Sequence, residues 1–127
     1  MAYPSDLQYT KEHEWIKVNG KNAAVGITNH AQELLGDIVF VDLPKVGAEI
    51  TAGKAFGSVE SVKAVSDVYA PISGTVTEVN SELTSAPEKI NQDAHSAWML
   101  KITIKNPAEL NGLLSAADYE KFVAEEG

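Results

Sequence analysis

Between residues 46 and 83 no apolar run extends far before a turn former interrupts it. Gly47, Gly53, Gly57, Pro71 and Gly74 punctuate this stretch, and the residues between them are largely β-branched or small. That spacing marks off short segments. It suits the short strands of a small barrel or sandwich.

The flanking segments extend the same reading. Residues 15–27 form a predicted β-hairpin, with Asn19-Gly20 as the tight-turn pair between Ile16/Val18 and Ala24/Val25. A short helix follows, with Asn29 and Gln32 at capping-box spacing, Leu34 and Leu35 on its apolar side and Gly36 at its end. Residues 37–43 alternate as a strand that Pro44 stops, and residues 98–104 read as a last strand. Beyond it the pattern turns helical. Asn106-Pro107 opens a turn with Glu109 at the capping-box position, and Ser115 with Asp118 marks a second start. Tyr119, Phe122 and Val123 then share one face, which is read as packing on the barrel.

Composition matters here mainly for what it excludes. The formal net charge is -8 and every basic residue is a lysine. With no arginine fork and an acidic surface, nucleic acid is a poor partner. No apolar run is long enough for a membrane-spanning helix. Residues 1–8 show neither a signal core nor a basic, Ser-rich leader, so a cytoplasmic site is expected, or the mitochondrial matrix for a processed organellar protein. There is no cysteine, so any thiol chemistry needs sulfur from a cofactor. Phosphate-loop, nucleophile-elbow and zinc-protease motifs are also missing, so the standard enzyme signals come up empty. The histidines, His13, His30 and His95, lie far apart in sequence, and no metal site is assigned to them.

The informative segment is 57–74, GSVESVKAVSDVYAPISG. Two β-runs flank Ser61-Val62-Lys63-Ala64, so a hairpin would put Lys63 at an exposed tip. On spacing alone Lys63 is one of ten lysines, and an exposed turn lysine needs no special role. Gly57, Val59, Glu60, Ser61, Lys63, Ala64, Pro71, Ile72 and Gly74 nevertheless resemble the lysine hairpin of lipoyl carriers. Biotin carriers usually flank the acceptor with methionine, whereas Val62 and Ala64 stand here. Residues 9–15 (YTKEHEW), 25–28 (VGIT), 35–41 (LGDIVFV) and 90–93 (INQD) followed by Trp98 narrow the likeness. Together they resemble the glycine cleavage H-protein family from about residue 9 to residue 123. Residues 94–97 (AHSA) depart from it, since the family more often has a Pro-aromatic pair and glycine there.

The resemblance implies a mainly β chain, a barrel-sandwich hybrid of two small antiparallel sheets. One short helix would lie in the N-terminal half and helices at 107–126, all within a single domain over residues 1–127. It implies lipoate in amide linkage to Lys63, recognised through Glu60, Ser61, Val62, Ala64 and Gly74. In the family's cycle the arm accepts an aminomethyl group at glycine decarboxylase and passes the one-carbon unit to tetrahydrofolate at the aminomethyltransferase. Dihydrolipoamide dehydrogenase then reoxidises the dithiol. Lipoate-attaching enzymes are further expected partners, and the carrier is expected to be a monomer. The alternatives are a donor of lipoyl groups to 2-oxoacid dehydrogenases, a biotinyl carrier, and an unmodified β-barrel binding module. A labile amine on such an arm would call for a sheltered cleft with an anion, for which Glu14 is the first candidate and Asp67 the second.

Overall fold

The computed structural model describes residues 3–126. Its strands are β1 (Gln8–Tyr9), β2 (Glu14–Asn19), β3 (Asn22–Ile27), β4 (Ile38–Asp42), β5 (Glu49–Ile50), β6 (Ala55–Ser61), β7 (Val65–Tyr69), β8 (Gly74–Val79) and β9 (Leu100–Ile104). Helix α1 (Asn29–Leu35) follows β3, and the short turns α2 (Glu82–Ser85) and α3 (Lys89–Gln92) link β8 to β9. A 3-10 turn (Pro107–Gly112) leads into the terminal helix α4 (Ala116–Glu126). One sheet runs β1-β2-β3-β9-β8-β5 and the other β4-β6-β7, and every pairing is antiparallel. This is the lipoyl-domain-like sandwich expected from the sequence.

Apolar alternation explains how the sheets close. Ile16, Val25, Val76, Leu100 and Ile102 are buried from one sheet, while Val41, Val59 and Val68 are buried from the other. Leu83, Ile90 and Met99 from the connecting segments plug the second group, and Phe56 packs against both. A third cluster, Leu7, Tyr9, Trp15, Ala116 and Tyr119, fastens α4 to the first sheet. The shared face of Tyr119, Phe122 and Val123 therefore packs inward, as expected.

Several local expectations shift. The β2–β3 turn is Gly20-Lys21 between the paired Asn19 and Asn22, one residue later than the predicted pair. Only Gly20 takes a positive φ (65°), which is the pattern of a turn with glycine at its first central position. Helix α1 is capped by Thr28, whose hydroxyl accepts from the Ala31 amide, rather than by Asn29. Its Gly36 end, with φ 80°, is as expected. Glu109 makes no capping box. Its carboxylate instead accepts from the Ser73 amide (2.7 Å) and hydroxyl (3.1 Å), tying the 3-10 turn to the turn before β8. Ser115 does open α4, accepting from the Asp118 amide at 3.2 Å. The last strand begins at Leu100, two residues after Trp98.

Candidate functional site

Strands β6 and β7 build the predicted lysine hairpin, with Glu60 opposite Val65 as the last pair and Val62, Lys63 and Ala64 beyond it. The tip is held from within. Ser61 is buried, and its hydroxyl accepts from the amides of Lys63 (3.3 Å) and Ala64 (3.1 Å). The Ser61 amide donates to the Ala64 carbonyl at 2.8 Å, closing the turn. A second anchor comes from outside the hairpin, where the Val62 amide donates to the Asp37 carbonyl at 3.1 Å. This serine does for the tip what Ser and Thr do at helix starts, giving otherwise unpaired amides an acceptor.

Lys63 is exposed on that fixed base, and its side chain passes beside Gly36. Among the described residues its ammonium has no ion-pair or hydrogen-bond partner. Acylation removes a lysine's charge, and at Lys63 that loss would break no ion pair among the described residues. Around the tip lies an apolar collar. Val62 and Val65 are 70% and 67% exposed, and Leu34, Val39 and Phe40 are exposed beside them on α1 and β4. Both Val39 and Phe40 face outward because β4 is bulged between Ile38 and Phe40.

Strand β7 leads from the tip toward a cleft of about 500 Å³ lined by Tyr9, Thr10, Glu12, Glu14, Tyr69 and Pro71, among others. Glu14 is buried there, with 2% of its surface accessible, at the start of β2. One carboxylate oxygen accepts from the Thr10 hydroxyl at 2.6 Å, and the other accepts from the Tyr69 amide at 3.3 Å. Burial outweighs these bonds and pushes the Glu14 pKa up to about 7. Asp67 is different. It sits on β7 opposite Ser58, exposed to solvent, and does not line the cleft.

The structure thus gathers Glu60, Ser61, Val62, Lys63 and Ala64 at one tip and places Glu14 at the far end of β7. Gly74 belongs to neither place. It lies in β8 rather than in a turn, and a Cβ there would come within 2.5 Å of the Thr103 carbonyl oxygen. Its lack of a side chain permits close strand packing, so the residue expected as a turn former is instead a strand residue. Sequence reasoning missed Thr10 and Tyr69 as partners of Glu14. Thr10 was visible within the 9–15 motif, but Tyr69 acts through its backbone amide, which leaves no mark on residue type.

Comparison with known proteins points one way. Residues 7–126 match the family model described as glycine cleavage H-protein. The chain is 70% identical over 126 residues to the glycine cleavage system H protein of Koribacter versatilis, covering 99% of this chain and 98% of that one. It is 64% identical to the corresponding protein of Acidobacterium capsulatum, with the same coverage. A crystal structure of a glycine cleavage system H protein from Mycobacterium marinum superposes with a TM-score of 0.82 at 37% identity, covering 98% of this chain and 99% of that one. A matching family model over nearly the full length, high identity and a common fold place the chain in the glycine cleavage H-protein family.

Proposed function

We propose that Lys63 is acylated with lipoate and that the chain carries this arm between glycine decarboxylase, the aminomethyltransferase and dihydrolipoamide dehydrogenase in the cytoplasm. The observation that carries the proposal is an exposed lysine on a hairpin tip pinned by the buried Ser61 hydroxyl. When bound, lipoate supplies the redox-active sulfur that a chain without cysteine lacks. The protein's part is presentation. A rigid base keeps the attachment point fixed while tethering raises the effective concentration of the arm at a docked enzyme. The exposed collar of Val62, Val65, Val39 and Phe40 offers apolar contact area around the modified residue, as a docking face does.

Glu14 has a separate task in this reading. Its carboxyl lies in a sheltered cleft with a pKa near 7, so a cationic amine brought there would draw it into the charged form and pair with it. Thr10 and the Tyr69 amide orient the carboxylate for that pairing. Asp67, exposed on β7, is not needed for it.

Intact-mass measurement of the protein from its host tests attachment. One lipoyl adduct is expected on the parent and none on Lys63→Arg, and an adduct persisting on the variant overturns the assignment. Efficient modification by a biotin ligase instead would favour the biotinyl alternative. For Glu14, the Glu14→Ala variant should still accept lipoate but release formaldehyde and ammonia from the loaded carrier faster than the parent when partner enzymes are absent. Equal rates would reduce Glu14 to a structural residue.

A further inference from the structure

We propose that His13, His30 and Glu126 form a binding site for a zinc-like divalent transition-metal cation, where the end of α4 meets α1 and the turn before β2. The histidines look scattered in sequence, and no metal site is expected from their spacing. Folding brings two of them together. Their ring centroids lie 4.7 Å apart with the planes tilted by 54°. Both Nε2 atoms approach the same Glu126 Oε1, at 3.2 Å from His13 and 3.1 Å from His30. All three candidate ligand atoms lie within 4.8 Å of one another.

These separations suit a shared cation. Tetrahedral coordination with bonds of about 2.0–2.1 Å puts neighbouring ligand atoms about 3.3 Å apart. Two of the three edges already have that length, and the third needs a shift of at most about 1.5 Å. Two imidazoles and one carboxylate form a nitrogen-rich set that favours zinc, cobalt, nickel or copper over magnesium or calcium. The two histidine side chains are sheltered, whereas Glu126 is 39% exposed, so one side of the cluster opens to solvent for a water or other fourth ligand.

Support behind the ligands points the same way. His13 Nδ1 lies 2.7 Å from the Tyr119 hydroxyl, which lies 2.7 Å from the Thr28 hydroxyl. With Nδ1–H donating to Tyr119 and Tyr119 donating to Thr28, the His13 Nε2 lone pair is left for a metal, as outer hydrogen bonds set the tautomer of ligating histidines. His13 is also the one non-glycine residue with positive φ (71°) among the described residues. Its backbone bonds hold it in that conformation, with its amide donating to the Thr10 carbonyl and its carbonyl accepting from the Thr28 amide. A metal-free triad, with Glu126 accepting from both imidazoles, is the competing arrangement.

The two separate in a titration of zinc or cobalt into the untagged, metal-stripped full chain carrying Lys63→Arg. That substitution removes any lipoyl thiol as a ligand, and the chain has no cysteine. One equivalent should bind with a Kd of about 10 µM or tighter, and cobalt should give visible ligand-field bands. His30→Asn and Glu126→Gln should each weaken binding roughly tenfold or more. His95→Asn should leave it unchanged, since that ring instead accepts from the Asn29 amide. Weaker parent binding, or equal binding by the His30 and Glu126 variants, overturns the proposal and leaves the hydrogen-bonded triad. His13→Asn, which tolerates the left-handed backbone, provides an independent check on the third ligand.

Discussion

Lys63 and Glu14 show how far the character of a residue depends on what surrounds it. Ten lysines are alike in composition, yet Lys63 is set on a turn whose amides are satisfied by a buried serine. The 9–15 motif drew attention to Glu14, but only the fold shows that this carboxyl is shielded. That shielding has a measurable consequence. With its folded-state pKa raised from 4.5 to about 7, Glu14 keeps a proton between those pH values that the unfolded chain has lost. The stability it contributes is complete below about pH 4.5 and falls as the pH rises through 7, where a charge must remain buried. A shift of this size corresponds to about 3 kcal/mol. The melting temperature of Glu14→Gln relative to the parent should therefore rise between pH 5 and pH 8, and a constant difference would show that the carboxyl titrates normally. Asp67 could not be told apart from Glu14 by residue type, because both are acids and it is burial that separates them.

At the level of elements, the short apolar runs were enough to expose the strands, and 57–74 did contain a hairpin with Lys63 at its tip. The hairpin itself ends at Tyr69, and Gly74 lies in the next strand, against β9. Gly74→Val should consequently act on the whole sheet. Its side chain would press on the Thr103 carbonyl and Ile102, costing roughly 1–3 kcal/mol as overpacking does. A clearly lower melting temperature is expected, with poor lipoylation following from unfolding rather than from a damaged tip. If lipoylation fell while melting stayed unchanged, the glycine would have a direct role in recognition. Boundaries proved less legible than elements. Thr28 takes the cap assigned to Asn29, because both types can cap and the neighbouring backbone decides between them. Glu109 has the capping-box spacing but finds Ser73 across the fold, a long-range competitor invisible to local pattern.

Across the molecule, α4 joins parts of the chain that are far apart in sequence. The buried Tyr119 hydroxyl meets both His13 and Thr28, so one phenol links the turn before β2 to the cap of α1. Amphipathic spacing identified the inward face of α4 but could not reveal these bonds, since their partners are 106 and 91 residues away. Tyr119→Phe keeps the packing and removes both contacts, leaving buried polar atoms short of a partner. A loss of about 1–3 kcal/mol in chemical denaturation is expected, and a neutral result would mean that water replaces the hydroxyl. The second sheet presents a different consequence. Among the described residues, strand β7 has a strand neighbour on one side only, and Val65, Ser66 and Asp67 along it are exposed. An open strand beside bare valines is a template on which another chain could align and aggregate. Asp67 puts a negative charge on that rim, and copies of the protein brought rim to rim would repel each other. Asp67→Val should therefore remain folded yet scatter more light as protein concentration rises, whereas an unchanged scattering profile would show that strand shortness alone guards the rim.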